Sequence, residues 1–213
     1  MRIYNLADRK RNKAGLRVAA TPTPPLTVGV GADYYKDDYD NTQLGLEQGK
    51  GKTYTADLGY VFSEALTANA FYTREKLDSQ QAGSQTFSTP DWFLSDEYVT
   101  DTVGVGLNWQ AIADKLDLGA DFVYSKYRGE MKFRDAANLP DLESKLTGVR
   151  LHGTYELKEN LSVRLDYMYQ RYRENDWAID GIGVATLPSV LGLGAEEQDY
   201  NVNVFAATLR YEF

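Results

Sequence analysis

The chain has 213 residues, 43% of them hydrophobic, and a formal net charge of −8. It holds no apolar run near the roughly 20 residues that a membrane-spanning helix needs, so helical insertion is excluded. Cysteine is absent, which removes disulfides, thiol catalysis, iron–sulfur ligation and covalent c-type haem attachment.

In chain order, residues 2–7 read as a short strand, 8–14 as a basic turn and 15–21 as the returning strand. Four segments then begin with Leu and alternate apolar and polar residues: 26–34, 66–72, 116–124 and 161–169. Each is preceded by a short polar turn, at 22–25, 63–65, 110–115 and 156–160. Returning strands follow near 53–62, 98–109, 145–155 and 200–213, which makes ten. Side chains alternate faces along a strand, so Leu26, Val28, Val30, Leu58, Val103, Val105, Leu118, Phe122, Val163 and Leu165 share an apolar face.

Long polar stretches at 36–52, 76–97, 128–144 and 174–199 alternate with the short turns. Short periplasmic turns and long extracellular loops are the asymmetry of outer-membrane barrels. The aromatics agree with it, because Trp and Tyr gather at the two membrane interfaces. Tyr60, Phe62, Trp109, Tyr155, Tyr211 and Phe213 fall at the short-turn ends, and Tyr34, Tyr72, Tyr124 and Tyr169 at the other. The pattern predicts an all-β fold, an antiparallel up-and-down transmembrane β-barrel of about ten strands in the bacterial outer membrane. Residues 1–213 form one domain or the C-terminal segment of a larger barrel. Met1 is followed by Arg-Ile-Tyr without the pattern of a secretory signal, and a longer parent protein is the expectation.

The inward face is predicted to carry Arg17, Asp57, Asp121, Arg150, His152, Arg164, Asp166 and Arg210, together with Asp33, Asp117 and Glu212. Charges of both signs there mean a wet lumen or a polar object within it. The four long loops sum to −11, which argues against nucleic acid as a partner. Asp37, Asp38, Asp40 and Asn41 offer oxygen ligands for calcium but lack the EF-hand spacing. His152 is the one histidine; it falls mid-strand, within reach of Asp121 or Asp166, and no serine stands out as a nucleophile for it. The reading is therefore no enzyme, no metal site and no cofactor held by the chain itself, although the strand count also resembles that of the outer-membrane proteases called omptins.

Several motifs are similar to the C-terminal portion of the MtrB/PioB family of outer-membrane barrels. They are Tyr4-Asn5-Leu6-Ala7-Asp8-Arg9, Gly15-Leu16-Arg17-Val18 with Thr21-Pro22-Thr23, Leu58-Gly59-Tyr60 with Phe62-Ser63 and Leu66, Phe71-Tyr72-Thr73-Arg74-Glu75, and the ending at 205–213. The resemblance implies a much larger barrel acting as an insulating sheath around a multihaem c-type cytochrome that carries electrons across the outer membrane. It also implies that the inward charges face that partner. The terminal Tyr211 and Phe213 resemble the signal read by the barrel-assembly machinery. The alternative is a small self-contained porin-like or adhesin-like barrel.

Overall fold

The computed structural model describes residues 8–40, 43–86, 88–134, 140–176 and 199–212. They form nine strands: β1 (Asp8–Thr23), β2 (Leu26–Asp40), β3 (Gly45–Ser63), β4 (Leu66–Gly83), β5 (Trp92–Ile112), β6 (Leu116–Phe133), β7 (Leu142–Lys158), β8 (Leu161–Asn175) and β9 (Tyr200–Tyr211). The sheet order is the chain order, and every neighbouring pair is antiparallel. Among the described residues β1 pairs only with β2 and β9 only with β8, so the sheet is an arc with two free edges.

The short turns hold each hairpin tightly. Pro24 and Pro25 join β1 to β2, Glu64 and Ala65 join β3 to β4, and Glu159 and Asn160 join β7 to β8. The turn after β5 places Asp114 at φ 53°, a left-handed conformation that Asp tolerates better than most residues. Backbone bonds lock the turns to the strand beyond: Val61 N–H donates to the Pro25 carbonyl (2.8 Å), Gln110 to Ala65 (2.8 Å), Glu156 to Lys115 (2.9 Å) and Glu212 to Asn160 (3.0 Å).

Register carries one face across the whole sheet. Val28 lies opposite Leu58, then Ala70, Val105, Phe122, Val149 and Tyr169. A lower row runs Trp109, Leu118, Gly153, Leu165, Ala207. All ten residues expected on the apolar face lie on it. These side chains are open: Leu16 is 72% exposed and Leu165 60%, while the only buried hydrophobic residue among those described is Ala82. A sheet with no core of its own and a continuous apolar face is stable only where hydrocarbon covers that face.

Two sequence expectations need correction. Residues 8–14 are not a turn but the first half of β1, in register with residues 34–40 of β2. Arg11 there makes a two-pronged ion pair with Asp37, Nε to Oδ1 at 2.6 Å and Nη2 to Oδ2 at 2.7 Å. Among the described residues the long polar stretches 36–52, 76–97 and 128–144 are also largely strand, since β3 begins at Gly45, β4 runs to Gly83, β5 starts at Trp92 and β6 reaches Phe133, while nearly all of 174–199 lies outside them. Above the membrane a strand no longer needs an apolar face, so its alternation disappears while its backbone ladder continues. Nine of the ten expected strands fall among the described residues, and the one expected at 2–7 lies outside them.

Candidate functional site

The opposite, polar face is built by the intervening positions of the same strands. Arg17 stands opposite Gly31, Asp57 opposite Gly29 and Phe71, Asp121 opposite Gly106 and Arg150, His152 opposite Gly119 and Asp166, and Arg164 opposite Thr154 and Thr208. Arg210 faces Ser162. Every charged residue expected to face inward thus shares this face.

The structure pairs them selectively. Arg17 bridges to Asp57 across β2. Asp166 accepts from Arg164 (2.8 Å) and from Arg150 (3.2 Å), so two guanidiniums share one carboxylate. Arg150 therefore turns away from Asp121, its direct cross-strand neighbour, and Asp121 has no cation within ion-pair distance among the described residues. Arg210 pairs with Glu212 (2.6 Å). The result is a wall of local pairs in which one net positive cluster lies beside the unpaired Asp121.

Glycine keeps the wall low. A Cβ on Gly104 would strike the Phe71 ring, one on Gly119 the His152 imidazole, and one on Gly51 the Tyr35 ring. These rings lie flat over the glycines instead of standing off the sheet. This explains what sequence spacing left open about His152: its ring covers Gly119, and its Nδ1 is buried without a hydrogen-bond partner among the described residues. Asp166 is engaged by the two arginines, and among the described residues neither Asp121 nor Asp166, the carboxylates within sequence reach, pairs with His152.

The suggested calcium ligands are likewise engaged. Asp37 is 3% exposed and held by Arg11, which keeps its carboxyl below the ordinary carboxylate range; Asp38 pairs with Lys36 at 2.7 Å. Asn41 and Phe213 lie outside the described residues. Tyr211 sits on the apolar face opposite Leu161.

Near the long-connection end, Glu143 bridges Lys126 (2.7 Å) and Lys145. The Lys126 ammonium, then that of Lys145, pulls its carboxyl down to about 2. A depressed carboxylate contributes its stabilisation above its ordinary pKa and loses it as the pH falls through the folded value. Amide exchange along the β6–β7 end is therefore expected to quicken between about pH 4.5 and about pH 2, and Glu143→Gln to abolish that dependence. An unchanged acid profile in the variant would count against the bridge.

A coreless antiparallel meander with one apolar face and two aromatic levels is an outer-membrane β-barrel wall. Solved structures agree on the fold. The chain matches FauA, the alcaligin outer-membrane receptor of Bordetella pertussis, with a TM-score of 0.66 at 16% identity, over 96% of this chain and 33% of that one. It matches BauA, the ferric preacinetobactin receptor of Acinetobacter baumannii, with a TM-score of 0.70 at 12% identity, over 94% and 37%.

The family model described as outer membrane beta-barrel porin, MtrB/PioB, matches residues 1–213. "Outer membrane protein MtrB" of Shewanella baltica (strain OS185) is 34% identical over 217 residues, covering 100% of this chain and 31% of that protein. The chain belongs to the MtrB/PioB family of outer-membrane barrels and spans about a third of the length of this curated relative. In such barrels the short turns face the periplasm and the long connections the outside.

Proposed function

We propose that this chain is a non-catalytic wall segment of a barrel that sheathes a multihaem c-type cytochrome, for electron transfer across the outer membrane. The observation that carries the reading is the low polar face: alternate glycines, rings folded flat over them and charges paired along the wall. Such a wall leaves the lumen free for a bulky cargo, whereas a small barrel fills its interior with its own side chains. The open arc is consistent with the same reading, because among the described residues β1 and β9 are not paired with each other.

The haems belong to the partner, and the wall supplies insulation and grip. Asp121, lacking an internal cation, and the net positive Arg150–Asp166–Arg164 cluster are the points that would contact cargo. Assembly of such a barrel would use the machinery that reads the terminal Tyr211 and Phe213.

In the complete barrel, Asp121→Lys combined with Arg150→Glu is expected to lower cytochrome co-purification at least tenfold while leaving barrel insertion unchanged. Contacts between desolvated charges account for a loss of that size. Retention of the cytochrome at wild-type level by an inserted variant would remove the cargo role from this wall and favour the small-porin alternative.

A further inference from the structure

The outward face changes character abruptly above its upper tyrosines. Two residues beyond each tyrosine on the same face, toward the long connections, stands a cation: Lys36 after Tyr34, Lys52 beyond Tyr54, Arg74 after Tyr72, Lys126 after Tyr124 and Arg171 after Tyr169. Two residues is about 6.6 Å of strand. The same step beyond the opposite aromatic belt arrives at Phe62, Ala111 and Leu157 instead, after Tyr60, Trp109 and Tyr155. The cations thus mark one membrane interface and not the other.

They are also sorted by face. At the same height the polar face of β3 to β8 carries Thr53, Glu75, Thr100, Tyr127, Ser144 and Glu174, a row without a cation. On the outward face the register sets like charges directly opposite each other: Lys52 faces Lys76, Lys126 faces Lys145, and Lys145 faces Arg173. Opposed like charges destabilise a sheet, and the acids within it offset them only in part. Asp38 takes Lys36 (2.7 Å), Glu97 takes Lys76 (2.7 Å), Asp101 takes Arg74 (3.3 Å), Asp199 takes Arg173 (3.2 Å) and the single carboxylate of Glu143 is shared by Lys126 and Lys145, yet Lys52, Arg128 and Arg171 have no acid within ion-pair distance among the described residues. The collar is short of anions at the height where headgroups lie.

We propose that this collar binds the phosphate groups of lipopolysaccharide in the outer leaflet. Tyrosine rings sit at headgroup depth, so a cation one step further out meets the phosphates of the glycolipid, and guanidinium and ammonium groups are suited to them. This inference rests on the long connections facing outward and is independent of any cargo in the lumen.

The test uses the full-length barrel reconstituted in phosphatidylethanolamine vesicles doped with bisphosphorylated lipid A, dephosphorylated lipid A or phosphatidylglycerol. Bound lipid is measured by native mass spectrometry after mild detergent extraction. Wild type is expected to retain bisphosphorylated lipid A at least tenfold better than a variant with Gln at Lys52, Lys126 and Arg171, and to discard dephosphorylated lipid A as readily as the variant does. Lys52→Arg with Lys126→Arg should preserve binding, which covers the case in which the Gln variant fails to fold. Equal retention of lipid A with and without phosphates by wild type would overturn the proposal. Equal retention of phosphatidylglycerol would overturn the assignment to the glycolipid.

Discussion

Ala207→Arg is expected to destabilise the inserted barrel by about 2–4 kcal/mol, whereas Ala206→Arg, one step along the same strand, should be close to neutral. The magnitude is that of a guanidinium placed against hydrocarbon near the membrane midplane. Ala207 lies opposite Leu165 in the apolar row, and Ala206 lies opposite Asp166 on the polar face, where a new cation remains in a wet lumen. The comparison holds residue type, strand and substitution constant and varies only the face. Leu165→Arg should cost as much as Ala207→Arg. Urea unfolding from lipid vesicles measures all three, and equal costs for the two alanine variants would place the sheet one residue out of register, which exchanges every face.

Arg11→Ala should produce the second large effect, a clear loss of stability at neutral pH. Removing one member of a buried pair leaves the other charge uncompensated, at about 3–5 kcal/mol when both are buried, and the half-exposed guanidinium of Arg11 reduces that here. Asp37 itself is nearly inaccessible. The pH dependence should invert as well. In the wild type the Asp37 carboxyl is depressed by Arg11, so the pair's contribution is present above the ordinary carboxylate range and fades as acid is added. Without Arg11, burial favours the protonated acid, and lowering the pH should relieve the defect. Arg11→Met with Asp37→Leu should recover most of the loss, since neither charge then remains. A single variant no less stable than wild type at neutral pH would mean that the β1–β2 extension is held by its backbone ladder alone.

The membrane-crossing part of the fold was legible in the residues because one physical demand governs it. Hydrocarbon on one side and water on the other force a period of two, and Leu26, Leu66, Leu116 and Leu161 each open a strand that obeys it. Beyond the tyrosines that demand lapses, and residues 45–52 or 76–83 continue as strand on backbone pairing that no hydropathy pattern reports. The basic run at 8–14 misled for the same reason: its partner is the acidic run at 37–40, and cross-strand complementarity is invisible until register is known.

Face assignment of the wall charges followed from parity, but their partners did not. Arg150 chooses Asp166 over the nearer-in-register Asp121 because Arg164 already draws that carboxylate into position, a matter of side-chain reach across rows. The cation collar escaped the charge count of −11 because Arg74, Lys126 and Arg171 lie just before the stretches that were summed, and because the sum pooled both faces of the extended strands.

Among the described residues each strand pairs only with its neighbours in sequence, and this has a consequence for how such a wall can change over evolutionary time. Duplicating or deleting one hairpin, two strands and the turn between them, alters the girth of the pore yet leaves every remaining interface as it was. Nothing elsewhere must be redesigned. A bore of this kind can be fitted to wider or narrower contents in units of one hairpin, with the thickness of the wall and the two aromatic levels unchanged.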